Sequence, residues 1–389
     1  MKRVLLGDIA KISSGGTPDR ANPAYWGGDI PWVKTGEIQF GIIRDAEEKI
    51  TARALDESPA KMVPPGSLLM AMYGQGKTRG QVALLGIRAA INQACAAISP
   101  QDPDDSRYLF QYLAANYENV RRLSNSGSQE NLNAELIRGI PIFYPEKTER
   151  QKIADILGMW DEALEKLDAL IAAKTRRKQA LMQQLLTGRR RLQGFGLPWV
   201  KSKLGDLFFN RTENNRLDLP LLSITADQGV VSRESLTKRD TSSEDKSKYL
   251  RIAPGDIGYN TMRMWQGVSA LSTMEGIVSP AYTILTPSAR IDGRFTAHLF
   301  KLRHTISLFH RHSQGLVDDT LNLKYPHFAK IEVTVPNDVA EQRAIAAVLN
   351  TADAELGRLR QQLTALDHQK RGLMQQLLTG KKKVNVQLS

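Results

Sequence analysis

Apolar residues recur in alternating steps of four and three over two long stretches of the chain, one in each half. Such steps align the apolar side chains along one stripe of a helix, and a stripe sustained for more than four heptads is typical of a coiled coil. We therefore predict two long helices. Their seams are formed by Ile153, Leu157, Trp160, Leu164, Leu167, Ile171, Leu181 and Leu185 in the first, and by Ile345, Leu349, Leu356, Leu359, Leu363, Leu366, Leu373 and Leu377 in the second.

The two helical stretches are copies of one sequence, since the octapeptide Leu181–Gly188 recurs unchanged as Leu373–Gly380. Lys178 and Lys370 interrupt the two seams at the same place in the repeat. Each lysine either meets an acidic partner that fixes the register or extends its amine into water. The matched length and matched interruption favour direct pairing of the two helices. The alternative is that each helix packs on a separate neighbour.

The sequence also marks where the helices begin and end. Thr148 and Asp338 each stand three residues before a Gln or Glu, which is the spacing of a capping box at a helix N-terminus. Gly188 and Gly380 are predicted C-terminal stops, and the cationic run after each glycine suits the negative end of a helix.

The two remaining blocks are rich in Gly and Pro, with short apolar runs and many β-branched residues. In the first block this pattern predicts strands at Ser67–Tyr73, Gln81–Leu85 and Ala89–Ser99, and a helix at Ser106–Arg122. We predict the α+β class, with two mixed α/β domains separated by the two long helices. The predicted domains are 1–147 (first mixed domain), 148–197 (first helical region), 198–339 (second mixed domain) and 340–389 (second helical region).

The second block repeats short pieces of the first. Leu204–Asp206 repeats Leu6–Asp8, Pro254-Gly255 repeats Pro65-Gly66, and Thr320–Leu323 resembles Asn131–Asn133. The residues between these pieces differ. We infer two equivalent scaffolds with internal pseudo-twofold symmetry that carry different loops.

The composition predicts that the protein binds an anionic partner. The net charge of +12 and the pI of about 9.6 favour nucleic acid. The single cysteine, Cys95, lies in an apolar run and is predicted to be a core residue, so no disulfide framework or cysteine zinc site is expected. The N-terminal apolar stretch is too short for a signal peptide and no apolar run is long enough to span a membrane, so we expect a cytoplasmic protein.

Two catalytic motifs are matched only loosely. Ala71–Thr78 approaches a P-loop, but the residues after it predict a turn and a strand where a helix would have to hold phosphate. Asn22–Tyr25 approaches the signature of amino-group DNA methyltransferases, but its second proline is missing and only 21 residues precede it. We therefore expect a non-catalytic chain that binds no cofactor and no metal.

The chain resembles the specificity (S) subunits of type I restriction–modification enzymes. The resemblance is carried by Gly16-Thr17-Pro18 with Tyr25–Trp32, by Gln129-x-Asn131-Leu132-Asn133 with Ile140-Pro141, and by the doubled helical repeat. It implies two target recognition domains held apart by two antiparallel helices that form a coiled coil. It also implies these partners: double-stranded DNA, two methyltransferase (M) subunits and restriction (R) subunits, with S-adenosylmethionine, ATP and Mg used by those subunits. The second domain lacks the Tyr25–Trp32 block, so its assignment as a target recognition domain rests on the short pieces that it shares with the first.

Loops that combine glycine, amides, hydroxyls and cations are candidates for DNA binding, because such side chains reach base edges and phosphates. The candidate DNA-binding residues are Thr17, Lys34, Thr35, Tyr73, Gln75, Lys77, Thr78 and Arg79 in the first domain, and Asn260, Arg263, Trp265 and Gln266 in the second. Any one of them is alternatively a solvated loop residue. Two unlike domains on one frame predict a split, asymmetric target whose gap is set by the helices.

Two other functions remain open on the sequence alone. One is a coiled-coil adaptor with two protein-binding domains, and the other is a methyltransferase in its own right. The neighbouring genes discriminate between them, because adjacent M and R genes favour the specificity subunit.

Overall fold

A computed structural model of the chain describes residues 3–74, 76–124, 131–236, 243–317 and 320–384. The chain divides into two compact units, Met1–Asp168 with Gln361–Ser389 (unit 1) and Ala169–Arg360 (unit 2). Each unit therefore contains one mixed α/β region and part of each long helix.

Unit 1 combines many short strands with a smaller number of helices. Its strands are β1 (Arg3–Leu5), β2 (Ala10–Ser14), β3 (Trp26–Val33), β4 (Ile42–Ile43), β5 (Glu48–Ile50), β6 (Met62–Val63), β7 (Leu68–Ala71), β8 (Val82–Leu85), β9 (Ala89–Ile91), β10 (Cys95–Pro100) and β11 (Pro141–Phe143). Its helices are α1 (Leu6–Ile9), α2 (Ala52–Glu57), α3 (Ser106–Ala115), α4 (Tyr117–Arg122), α5 (Ala134–Arg138) and the start of α6 (Lys147–Leu185).

The central sheet of unit 1 has the order β2-β10-β7-β8-β4. All four residues of β7 are buried because both faces of this strand are covered. Leu68 and Met70 lie in a core shared with α3 and α6, whereas Leu69 and Ala71 lie in a second core shared with β9. The unbroken apolar run of this strand is explained by burial on both faces.

Unit 2 has a similar mixture of elements. Its strands are β12 (Trp199–Lys203), β13 (Phe208–Arg211), β14 (Leu222–Thr225), β15 (Gly229–Ser232), β16 (Leu250–Ile252), β17 (Ile257–Asn260), β18 (Ser269–Leu271), β19 (Gly276–Val278), β20 (Tyr282–Pro287) and β21 (Glu332–Pro336). Its helices are α7 (Leu204–Leu207), α8 (Gly293–Leu299), α9 (Arg303–His312), α10 (Tyr325–Phe328) and the start of α11 (Val339–Leu377).

The central sheets of the two units have equivalent connectivity. The order β13-β20-β17-β18 in unit 2 matches the order β2-β10-β7-β8 in unit 1. Each unit also pairs its first strand with its last, β1 with β11 and β12 with β21. The repeated Leu-Gly-Asp pieces form the first short helix of each unit, α1 and α7. The echoes in the sequence therefore mark matched elements of two scaffolds.

The units differ in the elements added to that sheet. Unit 1 carries a second sheet of order β5-β3-β9-β6, and the aromatic block found only in the first half supplies its strand β3 with the fully buried Trp32. Unit 2 instead carries the two-stranded pairs β14-β15 and β16-β19. This difference explains why the second half of the sequence lacks the aromatic block.

The long helices α6 and α11 have 39 residues each, which corresponds to about 58 Å at 1.5 Å per residue. In unit 2, Lys178 forms an ion pair with Asp353, and Lys174 Nζ lies 2.5 Å from Glu355 Oε1. Residue numbers rise along α6 as they fall along α11, so the two helices are antiparallel there. Of the alternatives left open for Lys178, the acidic partner is therefore the one that the structure shows.

The same arrangement occurs in unit 1, where Lys370 Nζ lies 2.5 Å from Asp161 Oδ1. All the predicted seam residues of both helices are buried or half-buried, and Ile153, Leu157, Ile345 and Leu349 have no exposed surface. The apolar stripes therefore face protein within each unit.

Both long helices end in the same way. Gly188 and Gly380 adopt left-handed φ angles of +70° and +69°, and each donates its N–H to the last helical residue. Only glycine adopts this conformation without strain, so the predicted stops are confirmed. At the other end, Asp338 Oδ1 accepts the Ala340 N–H at 2.8 Å, but α6 begins at Lys147 and the predicted cap Thr148 lies inside its first turn.

Two other predicted boundaries are wrong. The strand predicted at Ala89–Ser99 is divided into β9 and β10, and the helix predicted at Ser106–Arg122 is divided into α3 and α4. An asparagine lies at each break. Asn92 Oδ1 accepts the Ala94 N–H at 2.7 Å, and Asn116 Nδ2 donates to the Tyr112 carbonyl at 2.9 Å. Such side-chain bonds compete with regular backbone pairing.

Three further expectations concern the P-loop-like segment, the single cysteine and membrane-spanning helices. Residues 76–80 form turns that lead into β8, so the P-loop lacks its phosphate-binding helix, as predicted. Cys95 is fully buried, and burial raises the pKa of its thiol to about 12. No helix within the described ranges is long and apolar enough to cross a membrane.

Candidate nucleic-acid interface

The candidate residues of the two units lie mainly on equivalent loops. Residues 72–80, named loop A, connect β7 to β8, and residues 261–268, named loop B, connect β17 to β18. Both loops follow the central strand that begins just after the repeated Pro-Gly turn. The same sheet position thus carries unlike side chains in the two units.

Loop A is closed at its base and open at its tip. The Gly80 N–H donates to the Ala71 carbonyl at 2.8 Å, and the Ala71 N–H donates to the Gln81 carbonyl at 3.0 Å. Tyr73 and Lys77 are exposed, whereas Thr78 and Arg79 are half-buried. Gln75 lies outside the described residues. A cation, a phenol and a hydroxyl therefore project from one short loop, which suits contacts with phosphates and base edges.

Helix α4 packs against loop A. The Tyr117 hydroxyl donates to the Lys77 carbonyl at 2.5 Å, and its ring meets Phe40 edge to face with 5.2 Å between the ring centroids. Arg121 Nη1 lies 3.5 Å from the same hydroxyl oxygen. The N–H of Phe40 donates to the Val82 carbonyl, so this aromatic pair is anchored to β8.

A turn at Asn92–Ala94 brings the other unit 1 candidates to the same corner. Asn92 donates its N–H to the Val33 carbonyl next to Lys34, and the Ala94 carbonyl accepts the Met72 N–H at the start of loop A. Thr17 donates its hydroxyl to the Gln93 side chain. Thr17, Lys34 and loop A therefore surround one turn.

Lys34 is already engaged by protein carboxylates. Its Nζ lies 2.8 Å from Glu48 and 3.2 Å from Glu47, and these bonds raise the pKa of its amine. Thr35 begins a short 3₁₀ turn, Thr35–Glu37, and is half-buried. Lys77 is consequently better placed than Lys34 to meet an external anion.

Loop B carries Arg263, Trp265 and Gln266, and the fourth unit 2 candidate, Asn260, is the last residue of β17 just before the loop. Arg263 and Gln266 are exposed, and Asn260 and Trp265 are half-buried. Asn260 Oδ1 accepts the Met262 N–H at 3.0 Å, and Trp265 Nε1 donates to the Met262 carbonyl at 3.0 Å. These internal bonds fix the loop while the Arg263 and Gln266 side chains remain accessible.

Loop B also packs against the helices that follow the sheet. Lys301 Nζ donates to the Gly267 carbonyl at 2.7 Å, and Trp265 meets His310 of α9 with 5.8 Å between ring centroids. Burial lowers the pKa of the Lys301 amine, although Asp227 opposes this effect. A partly buried amine on a loop carbonyl restrains that loop.

A third segment borders each loop. The Leu132 N–H donates to the Met72 carbonyl at 3.0 Å in unit 1, and the Leu323 N–H donates to the Thr261 carbonyl at 2.8 Å in unit 2. Since Met72 and Thr261 are the first residues of loops A and B, Leu132 corresponds to Leu323. The structure thereby fixes the alignment of the two Asn-Leu pieces.

Sequence reasoning missed several residues of this interface, namely Asn92, Gln93, Tyr117, Arg121 and Lys301. Asn92-Gln93 is a polar pair inside an apolar run, which could have indicated the turn. Tyr117 and Lys301 lie 40 and 34 positions from the loop residues that they contact, and no local pattern marks them.

The chain is similar to known proteins both in sequence and in structure. Residues 1–175 match the family described as type I restriction modification DNA specificity domain. The chain is 29% identical over 163 residues to the type I restriction enzyme MjaIX specificity subunit of Methanocaldococcus jannaschii, covering 41% of this chain and 37% of that protein. It is 26% identical over 162 residues to the EcoR124I/EcoR124II specificity subunit of Escherichia coli, covering 40% of each. The matches span well under half the length of these relatives.

Two solved structures share the fold. One is a type I restriction–modification system S subunit from M. genitalium, with a TM-score of 0.62 and 15% identity over 99% of this chain and 96% of that one. The other comes from work on complex assembly and conformational transition of the type I R-M system, with a TM-score of 0.56 and 15% identity over 97% of both chains.

Proposed function

We propose that the chain is the specificity subunit of a type I restriction–modification complex, because residues 1–175 match the family described as type I restriction modification DNA specificity domain. It reads a DNA sequence for that complex and carries out no chemistry itself. We expect it to act in the cytoplasm, where its target DNA lies.

The main support is the equivalence of loops A and B. Each loop follows the same strand of the same sheet, and each exposes a cation beside polar or aromatic side chains. A net charge of +12 favours binding to a polyanion. One loop per unit is the minimum required to read a target in two parts.

The chemistry of the two loops favours an asymmetric target. Loop A offers Tyr73, Lys77 and Arg79, whereas loop B offers Arg263 and Gln266. Lys and Arg pair with guanine edges or phosphates, and Gln pairs with adenine. The two half-sites should therefore have different base sequences.

We further propose that the long helices set the gap between the half-sites. Both helices contribute to both units, and reciprocal ion pairs hold them in register within each unit. A fixed helical length would translate into a fixed number of intervening base pairs.

The proposed partners are two methyltransferase subunits, restriction subunits and double-stranded DNA. S-adenosylmethionine, ATP and Mg would be used by those partner subunits. The division of labour is consistent with the names of the relatives, which are specificity subunits.

Methylation mapping tests the proposal. The chain is expressed with methyltransferase subunits from the same genome in a host whose DNA is otherwise unmodified at these sites. We expect modified bases within one two-part motif with a constant gap, and no such modification when the chain is omitted. Modification that persists without the chain, or a motif in a single uninterrupted part, would contradict the proposed function.

A further inference from the structure

The two loops share a supporting arrangement that their sequences do not share. In each loop, a glycine next to the closing strand has a left-handed backbone, with φ of +84° at Gly80 and +79° at Gly267. Each glycine faces the second helix after the central sheet, which is α4 in unit 1 and α9 in unit 2. A methyl group built on Gly80 would lie 3.6 Å from Arg121 of α4, and one on Gly267 would lie 2.9 Å from Ile306 of α9.

One side chain from the same helical region then bonds to each loop. In unit 1 the Tyr117 hydroxyl donates to the Lys77 carbonyl at 2.5 Å, and in unit 2 the Lys301 amine donates to the Gly267 carbonyl at 2.7 Å. The donors differ in chemistry and in exact place, yet both hold a carbonyl of the loop that carries the candidate DNA-binding residues.

From this convergence we infer that Tyr117 and Lys301 are positioning residues for specificity. This inference rests on the proposed function and adds to it the groups that fix each loop in its binding conformation. Neither residue has to touch DNA. Each restrains the backbone from which Lys77 or Arg263 projects, and discrimination between bases depends on side-chain donors held within a fraction of an ångström.

The surroundings favour this role over a purely structural one. The Tyr117 ring contacts Phe40 edge to face, so Tyr117→Phe removes the hydrogen bond and leaves the ring packing. Lys301→Met likewise keeps the buried aliphatic stem and removes the amine. Tyr117→Phe also removes the longer contact from Arg121 Nη1 to the same oxygen, at 3.5 Å, and neither change alters a residue of the central sheets.

Two matched controls exist in the chain. The Tyr112 hydroxyl donates to the Pro141 carbonyl at 3.1 Å in unit 1, and the Tyr325 hydroxyl donates to the Phe208 carbonyl at 2.7 Å in unit 2. Tyr112→Phe and Tyr325→Phe therefore remove the same kind of bond from the same units, away from the loops.

The experiment measures the binding of the full chain, with its methyltransferase subunits, to the mapped target and to duplexes altered at one position of either half-site. We expect Tyr117→Phe to reduce discrimination roughly three- to tenfold at one half-site only, since a neutral hydrogen bond is lost. Lys301→Met should reduce discrimination at the other half-site only. Both variants should keep the parental melting temperature, and both controls should behave as the parent.

The outcomes separate this inference from the proposed function. A parent complex with no sequence preference would contradict the proposed function itself. If the parent is specific but both variants discriminate as well as the parent, the positioning role is wrong. Equal loss at both half-sites together with a lowered melting temperature would also overturn it, because general destabilisation would then be the cause.

Discussion

Lys178 of α6 and Asp353 of α11 form an ion pair in unit 2, and the residues at the same two places in the repeat, Lys370 and Asp161, form the corresponding pair in unit 1. Each helix thus contributes the lysine in one unit and the aspartate in the other. A lysine in an apolar seam is costly unless it meets such a partner. The pairs therefore favour one antiparallel register over displaced alternatives.

A charge reversal tests this register. Lys178→Asp should lower the melting temperature, because it places two carboxylates together, and adding Asp353→Lys should restore most of the loss. We expect a coupling free energy of about 0.5–1 kcal/mol from the double-mutant cycle, since both side chains are partly exposed. Lys166→Asp is the control, because Lys166 pairs with Glu162 of the same helix and both side chains are exposed. Additive effects of the two reversals would show that the pair does not couple.

The stability of unit 2 should depend on pH through His298. Burial lowers the pKa of this imidazole, which contacts Asn350 Oδ1 at 2.8 Å and lies near Lys178 and Asp353. Below a pH of about 6.5 the unfolded state takes up a proton that the folded state resists. The free energy of unfolding should therefore be greatest above that pH and fall as the pH drops toward the lowered pKa.

A substitution suggested by unit 1 isolates this effect. Gln111 of α3 donates to Asp161 there, much as His298 of α8 lies beside Asp353. His298→Gln should flatten the pH dependence of unfolding below a pH of about 6.5. The control is His304→Gln, which changes an exposed histidine of α9. An unchanged pH profile in His298→Gln would assign the dependence to other groups.

Loop A is predicted to contact DNA through Lys77 and Arg79. Replacing either residue by Ala should weaken binding of the complex to its target. A lost phosphate contact lowers affinity equally for all sequences and makes the salt dependence shallower, whereas a lost guanine contact removes about 1–3 kcal/mol of discrimination at one position. Titrations at several salt concentrations distinguish these cases. Arg88→Ala is the control, since Arg88 is exposed beyond the opposite end of β8, and equal behaviour of all three variants would exclude loop A.

The helices can be tested as a spacer by lengthening both of them. Four helical residues inserted after Asp168 and after Arg360 lie at the boundaries of the units, so the ion pairs within each unit are kept. The insertion adds about 6 Å, or close to two base pairs at roughly 3.4 Å each, and about 40° of rotation. Methylation mapping should then show unchanged half-sites with a gap altered by one or two base pairs. New base identities at a constant gap would contradict the spacer role.

The sequence predicts those features whose physical cause is local or repeated. The four-three spacing gives the two long helices, and the left-handed glycines Gly188 and Gly380 give their ends. The Pro-Gly turn followed by an apolar run locates the strand before each loop. The breaks at Asn92 and Asn116 were missed, because a single polar side chain decides them against the surrounding pattern.

The support of the candidate interface could not be predicted, because it depends on tertiary contacts. Tyr117 and Lys301 can donate to their loop carbonyls only once the helical regions pack on the central sheets. The donor is a tyrosine hydroxyl in unit 1 and a lysine amine in unit 2, so no shared residue type marks the position. Lys34 shows the opposite case. Its charge makes it a candidate for DNA binding in the sequence, but in the fold its amine already forms ion pairs with Glu47 and Glu48.

The reciprocal ion pairs have a consequence for inheritance. Both lysines and both aspartates recur at the same interval as the octapeptide Leu181–Gly188, so a genetic exchange between the two copies of the repeat would leave a complementary lysine–aspartate set at each end. A gene with this repeat would therefore acquire a different mixed α/β region by crossing over within the duplicated stretch. The helix carrying the new region would already match its partner helix at the ion pairs. A change of target would therefore not require new contacts between the two long helices.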